Sequence, residues 1–404
     1  MDFSLELTAE EKAFAAEVRE WLEDNAPDGV DLRDAQKMTR GQFDTLRDFA
    51  RRLGRKGWLY PGYPREFGGG GLDAGRSYAL RQELAKKHLT LPPVMDWTVL
   101  AAPALMACCT DEQKKRFLPA MLTGNALTWQ LMTEPEAGTD EANQQTNALR
   151  HEREGDHFVI NGHKIFVGGM FPPPDQFYLL TRSDLTAPRH QNLSSFLIPA
   201  GLPGITIQPL DLFPPSTFAA ASGPTGAGTE AVKNSVFFDD VRVQESCLIG
   251  KEGDGWRVTQ ATFAVEHGGG GAVARNYTVE RFLAQCRNNP VIRERLRANP
   301  MLLAAMVDVY VGAQIERLLS LRNAAAAGGP HAGPQVALYQ KTFGTRFISL
   351  AAQVFGPYAF SDDPEWALDD GIFEVAERCG ICLAPGGTPE AMKIIMARAL
   401  AIGR

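Results

Sequence analysis

Backbone and side-chain groups suited to binding are densest between residues 126 and 170, ALTWQLMTEPEAGTDEANQQTNALRHEREGDHFVINGHKIFVGGM. Thr133-Glu134-Pro135-Glu136-Ala137-Gly138-Thr139-Asp140 reads as a loop, because its Pro and Gly stop any regular element. Its backbone amides and hydroxyls can hold an anionic or polar ligand, although a plain connection is the alternative. β-type runs flank it: Trp129 to Thr133 on one side, and His157 to Ile160 with Lys164 to Val167 on the other, separated by a turn at Asn161-Gly162. Other candidates are weaker. The run Gly68 to Gly71 invites a phosphate-loop reading, but no G-K-S/T follows and no strand precedes, so it reads as a flexible helix-to-helix loop. Gly250 to Trp256 is a turn and no dinucleotide fingerprint. Cys379 and Cys382 have C-x-x-C spacing without a second pair, and the seven histidines supply no H-x-x-x-H. The six cysteines therefore read as buried, reduced thiols, and no metal site is expected.

The elements that must position this loop come from a chain of 404 residues, enough for a large core and two or three domains. With 44% apolar and 22% charged residues, the composition is that of a globular protein in water. A net charge of −7 argues against nucleic acid as a partner. The start, MDFSLELTAEEK, is acidic and has no basic, apolar leader, so no secretory signal is expected. The best apolar run, Thr98 to Cys109, falls short of the roughly 18 residues that span a bilayer. The expectation is a cytoplasmic protein with no membrane association.

Helical periodicity covers Leu7 to Ala26, where Thr8 and Glu11 form a capping box and Phe14, Val18, Trp21 and Leu22 recur every three or four residues. A second helix is predicted over Gln42 to Lys56, with Phe43, Leu46, Phe49, Ala50 and Leu53 on one face; Gly57 to Pro64 ends it. Helices over 74–87 and 93–109, and one capped by Thr110 and Gln113, complete an N-terminal all-α domain over 1–125. From Ala126 the period changes. Short β-type runs at 126–133, 145–151, 157–167, 176–182, 194–199, 205–210 and 231–243 predict a middle β-barrel or sandwich over 126–243. The Pro-, Gly- and Ser-rich stretch 213–229 reads as a mobile inserted loop, a lid or a disordered segment. Helices over 256–286, 290–326, 334–355, 364–378 and 388–401 then predict a C-terminal all-α domain of four-helix-bundle type over 244–404. The fold class is α+β, in several domains.

TEPEAGTD followed by INGHKIFVGG resembles the acyl-CoA dehydrogenase family, whose pattern is T-E-P-x-A-G-S/T-D and then N-G-x-K-x-W/F-I/V-T/S. Only the last position departs. The segment from Gly57 to Gly71, the phrase TDEQKKRFLPAMLTG and Phe237-Phe238-Asp239-Asp240-Val241-Arg242-Val243 are further matches, so the resemblance spans essentially the whole chain. It is weakest at 213–229 and 283–310.

The resemblance implies a flavoprotein of lipid or fatty-acid catabolism that uses FAD to desaturate an acyl-CoA thioester. A carboxylate removes the α-proton while the β-hydrogen leaves as hydride to flavin N5. A carboxylate in a dry pocket suits that task, because desolvation raises its basicity. Many relatives place the acid just before a Gly-Thr pair near the C-terminus, where this chain has Gly386. Others place it on the helix after the FFDDVRV signature, which makes Glu266 the candidate base; a solvated surface Glu is the alternative. Gly386 keeps a backbone N–H for the thioester oxygen, as that position does in the family. His267 stands where Arg usually follows the base, and a neutral imidazole there would change the electrostatics of a substrate pocket; a core or surface histidine is the alternative. Gly268 to Gly271 and Ala272 leave room for a bulky, branched or cyclic acyl group.

For FAD, the resemblance implies contacts from Met132, Thr133, Gly138 and Thr139 and from Phe166, Val167 and Gly168. Phe166 keeps an aromatic wall. Gly168 lacks the hydroxyl that approaches flavin N5 in the family, which bears on redox tuning and oxygen reactivity. A neighbouring subunit would complete the site through Arg287, Gln353 and Gly356. Implied partners are an electron-transferring flavoprotein and further subunits in a homodimer, homotetramer or heteromer. Two alternatives remain: a flavin monooxygenase or oxidase of the same fold, and a non-catalytic partner subunit of a heteromeric dehydrogenase. The basic cluster Arg51, Arg52, Arg55 and Lys56 is either a CoA contact or a solvated face.

Overall fold

The computed structural model describes residues 7–28, 39–87, 89, 96–150, 156–169, 171–210, 233–266, 277–324, 329–360 and 387–403. The predicted loop 213–229, His267, the glycines 268–271, the helix 364–378, Cys379, Cys382 and Gly386 lie outside these residues. The described residues before Phe263 form one compact unit, and those from Phe263 onward form a second.

The first unit begins with five helices: α1 (Ala9–Asn25), α2 (Arg40–Arg55), α3 (Ala74–Lys86), α4 (Thr98–Cys108) and α5 (Asp111–Leu122). Sequence-encoded caps start them. The Thr8 hydroxyl accepts from the Glu11 amide while the Glu11 carboxylate accepts from the Thr8 amide, and Thr110 with Gln113 repeats the device. α2 buries Phe43, Leu46, Phe49 and Leu53, the predicted face, and Phe49 and Leu53 join Val18, Leu22, Trp58 and Leu80 in one core. α4 starts at Thr98, and the five residues from Pro93 predicted to precede it are described only from Asp96.

The Gly68–Gly71 run is closely packed. A Cβ on Gly70 would lie 2.4 Å from the Gly57 carbonyl oxygen and 2.8 Å from that of Pro61. The glycines let two backbone segments touch, which accounts for the run without a phosphate.

Eight strands follow: β1 (Thr128–Leu131), β2 (Asn147–Arg150), β3 (His157–Gly168), β4 (Gln176–Arg182), β5 (Leu193–Pro199), β6 (Ile205–Pro209), β7 (Lys233–Gln244) and β8 (Leu248–Ile249). The sheet runs β6-β7-β3-β2-β4-β5-β8, with β1 paired to β4, and it does not close into the barrel offered as one option. Its edge strands, β6 and β8, pair with β7 and β5, and among the described residues they do not pair with each other. The sparsest junction is at β4. It pairs along its length with β1 and β5 and meets β2 only through Asn147 and Arg182. Phe158 of β3 and Phe196 of β5 pack together with ring centroids 5.0 Å apart. The turn expected at Asn161-Gly162 is a bulge inside one long strand. β3 continues through it against β7, and Asn161 exchanges hydrogen bonds with Asp240 across the two strands.

α6 (Gly255–Glu266) carries the chain into the second unit, which is helical through its described residues: α7 (Tyr277–Asn288), α8 (Pro290–Ala298), α9 (Pro300–Ala324), α10 (Ala332–Phe355) and α11 (Pro389–Ala399). The single helix predicted over 290–326 is two helices. Pro300 cannot donate back to the preceding turn, and the Asn299 side chain caps the amides of Met301 and Leu302 instead. Phe282, Phe343, Phe347, Val354 and Phe355 form the core of this unit. No described helix is long and apolar enough to cross a membrane.

The packing of Gly70 is testable. Gly70→Ala should lower stability by about 2 kcal/mol or more in thermal unfolding. Gly62→Ala, in the same loop but with open space around the added methyl, should leave it nearly unchanged. Equal losses at both positions would sink the close-approach argument.

Candidate active site

The loop after β1 is folded by its own backbone. Glu134 and Ala137 exchange two hydrogen bonds, 3.0 and 3.1 Å long, around Pro135 and Glu136. Pro135 pre-sets the backbone for such a turn. The Glu134 side chain points inward and is 3% exposed. Its carboxylate accepts from the amides of Gln145 and Thr146 and, at 2.7 Å, from the ammonium of Lys164 on β3. Lys164 is fully buried and also donates to the Met132 carbonyl at 3.1 Å and to the side chain of Gln144. Gln144 in turn donates to the carbonyls of Met132 and Glu141.

Burial alone would raise the Glu134 carboxyl, but the Lys164 ammonium and the amide donors outweigh it and hold it below the usual carboxylate range. Both ends of the loop are thereby tied to β3. Its tip is left open: Gly138 and Thr139 are exposed, and a Cβ on Gly138 would meet nothing. Asp140 at the far end pairs with Arg189.

β3 answers this loop with an irregularity of its own. Its register against β7 shifts between Lys164 and Val167, and the Ile165 amide turns to the Thr133 carbonyl at 2.9 Å. The next residue, Phe166, has φ +58° and is 49% exposed. A bulky side chain in the left-handed region costs on the order of 1–3 kcal/mol and persists only where neighbouring contacts fix it. Here the bond to Thr133, the Lys164 network and buried Val167 fix it from both sides. An exposed ring beside a loop of free amides and hydroxyls fits a flat heteroaromatic cofactor with a polar tail.

The structure thus brings Met132, Thr133, Phe166, Val167 and Gly168 together, with Gly138 and Thr139 on the same loop. Gly168 acquires a reason. A Cβ there would lie 2.7 Å from Cζ2 of Trp97, whose indole N–H donates to the Gly168 carbonyl at 2.8 Å. Gly169 makes the same room for Trp129.

Trp97 is flanked by Asp96, a partly buried carboxylate that accepts from the amides of Thr98 and Thr128 and from the hydroxyls of Thr98 and Tyr60. Burial pushes its pKa up to about 6 despite those donors. Sequence reasoning missed Glu134, Lys164, Gln144, Trp97 and Asp96 as site-forming groups. The opposite charges of Glu134 and Lys164, one in each motif, were the available signal.

The remaining candidates belong to the second unit or its border. Glu266 is the last residue of α6 and is half-buried. Arg287 is exposed at the end of α7. Gln353 and Gly356 sit at the end of α10, beside Phe355, which packs on Phe282 of α7. Gly356 has φ +57° and ψ −135°, a conformation reserved for glycine. Arg295, which the sequence did not single out, donates to the carbonyls of Gln353 and Val354 and holds that end. The basic cluster on α2 is largely engaged at home. Arg51 pairs with Asp48, Arg52 lies over Phe49, and Lys56 lies over Trp58 and near Glu17.

Comparison with known proteins adds the following. Residues 8–125 match the acyl-CoA dehydrogenase N-terminal domain model, and residues 130–215 match that of the middle domain. The acyl-CoA dehydrogenase FadE29 of Mycobacterium tuberculosis is 35% identical over 63% of this chain and 60% of its own length. IpdE1 of the same organism, also an acyl-CoA dehydrogenase, is 32% identical over 70% of this chain and 72% of its own. Among solved structures, the Tcur3481-Tcur3483 steroid ACAD superposes with a TM-score of 0.78 at 26% identity, over 100% of both chains. The ChsE4-ChsE5 complex from Mycobacterium tuberculosis gives 0.74 at 25% identity, again over 100% of both.

Two measurements test this geometry. Lys164→Met strands a buried carboxylate and should cost about 3–5 kcal/mol in urea unfolding, whereas Glu134→Gln/Lys164→Met should recover much of the loss. A double variant as unstable as the single one would show that the pair is not the cause. Asp96 makes a pH prediction. Its folded pKa, about 6, exceeds its ordinary 3.8, so its contribution to stability is complete below about pH 3.8 and is lost as pH rises through 6. The stability of the wild type relative to Asp96→Asn should therefore fall by on the order of 1 kcal/mol between pH 5 and pH 7.5. A difference that stays flat would refute the shift.

Proposed function

This chain belongs to the acyl-CoA dehydrogenase family, and on that footing we propose that it catalyses FAD-dependent α,β-dehydrogenation of an acyl-CoA thioester. The observation that carries the reading is Phe166, held half-exposed in a strained conformation beside the loop that Glu134 and Lys164 anchor. Met132, Thr133, Gly138, Thr139, Phe166, Val167 and Gly168 would hold the cofactor, with Phe166 as the wall along its ring system. Bound FAD supplies the hydride acceptor.

Glu266 takes the α-proton onto a carboxylate oxygen. The Gly386 N–H steadies the charge that grows on the thioester oxygen. Arg287, Gln353 and Gly356 from a neighbouring subunit complete the cofactor site, and an electron-transferring flavoprotein in the cytoplasm takes the electrons onward. Domain limits at 125 and 243 accompany this reading. Glu266 together with the Gly386 position favours dehydrogenation over oxygen activation. The small residues after Glu266 favour a bulky or ring-bearing acyl group, and the name of one solved relative, a steroid ACAD, points the same way.

One observation supports assembly with a second chain. α9 exposes Leu303, Val307, Tyr310, Val311 and Leu318, an apolar stripe at helical spacing that suits a subunit interface. A heteromer in which this chain is the non-catalytic member is the second reading, and a solved relative is a complex of two named chains.

The test is spectroscopic. The purified protein should carry flavin that bleaches anaerobically with at least one member of a panel of straight, branched and ring-bearing acyl-CoAs. Glu266→Gln should keep the flavin and abolish the bleaching, by about a thousandfold or more in rate. Flavin that every thioester leaves oxidised would move the assignment to an oxygen-using relative. A chain without flavin, alone or with added FAD, would favour the partner-subunit reading.

A further inference from the structure

We propose that Trp97 is a positioning residue of the flavin site, standing in for the side chain that position 168 lacks. The proposal rests on the flavin reading above. Its grounds are geometric. A Cβ on Gly168 would lie 2.7 Å from Trp97 Cζ2, closer than real Cβ contacts come, and a tight 3.1 Å from both Cε2 and Nε1, and the obstacle is a buried ring rather than a flexible chain end. The volume into which a Ser or Thr side chain would extend is therefore filled by an indole.

The indole is fixed as well as present. Its N–H donates to the Gly168 carbonyl at 2.8 Å, its backbone amide donates to Thr128 at 2.9 Å, and the Lys233 ammonium lies 5.9 Å from its ring centroid. Asp96 on one side and Thr98 on the other are pinned to Thr128 by hydrogen bonds of their own. Trp97 thus reaches β3 from the start of α4 and clamps the stretch immediately after Phe166.

Two consequences follow for this site. The ring atom nearest to an added Cβ at 168 is the C–H carbon Cζ2, so position 168 itself presents no side-chain hydrogen-bond donor. The polar end of the indole is spent on the Gly168 carbonyl, which holds the peptide that continues from the strained Phe166. Tryptophan at 97 and glycine at 168 form one unit, because the indole in this position leaves no room for a Cβ at 168.

The experiment uses Trp97→Phe, Gly168→Ser and the double variant Trp97→Ala/Gly168→Ser. Each is read by the dissociation constant for FAD added to flavin-free protein, by the midpoint potential of the bound flavin and by the thermal midpoint. Trp97→Phe keeps an aromatic ring but loses the N–H, and should weaken FAD binding by about 5- to 10-fold, on the scale of one lost buried hydrogen bond. Gly168→Ser alone should weaken it by about 100-fold or more, since the ring must move. The double variant should recover binding to within about 10-fold of the wild type, with a midpoint potential displaced from the wild-type value because a hydroxyl now stands where a C–H stood. Gly168→Ser that binds FAD like the wild type, or a double variant no better than the single one, overturns the exchange of volumes. An unchanged FAD constant in Trp97→Phe overturns the positioning role. A wild-type chain that takes up no FAD removes the flavin reading and this proposal together, whereas a flavin-replete wild type with unresponsive variants removes this proposal alone.

Discussion

The ion pair between Glu134 and Lys164 is the constraint on which the rest of the site depends. Both side chains are almost fully removed from water, so each would cost several kcal/mol to bury by itself. The structure meets that cost by completing the hydrogen bonding of both groups. Glu134 has two backbone amides and the ammonium, and Lys164 has the carboxylate, a carbonyl and an amide oxygen. A hydrophobic pair of equal size would contribute comparable stability. It would not point the Met132 carbonyl inward, nor hold residues 134 and 144–146 at one height above β3. The charge pair is a positioning device first.

Strain at Phe166 follows from that device. With Lys164 drawn beneath the loop and Ile165 bonded to Thr133, the chain has one residue in which to rejoin β7, and Phe166 takes the left-handed conformation that makes the correction. The ring is thereby turned outward. Val167 then returns to the interior, where Asn234 donates to its carbonyl, and Gly168 and Gly169 lie flat under two tryptophans. Anchor, bulge, exposed ring and glycine pair form one causal sequence over residues 164–169, the last five residues of β3 and the one after it. A change at any of them is felt at the others.

Much of this architecture was legible in the sequence where the cause is local. The capping boxes at Thr8 and Thr110, the apolar face of α2 and the period-two runs of the sheet are short-range features, and the structure matches them closely. Reading failed where the cause is distant. Asn161-Gly162 has the composition of a turn, yet Asp240, far along the chain, pairs with Asn161 and keeps the strand continuous. Closure of the sheet depends on whether its edge strands, β6 and β8, meet, which no single strand records. The break at Asn299-Pro300 was the exception: a local signal, overridden in the reading by the apolar periodicity on either side of it.

The motif itself carries the last lesson. In this chain T-E-P and N-G-x-K supply Glu134 and Lys164, the two ends of one buried contact, and the segment between them has the length that lets them meet. Matching the motif therefore reports a folded scaffold. It does not report each functional side chain, since those project from the scaffold and can be exchanged. Gly168 shows how. Position by position it reads as a lost hydroxyl, yet the space is occupied by an indole from a helix start 71 residues earlier in the chain. A departure at a site position is a loss only when the volume and the hydrogen bonds it vacates stay empty. Here the volume is filled and the carbonyl of 168 is bonded, so neither the space nor the hydrogen bond is left vacant.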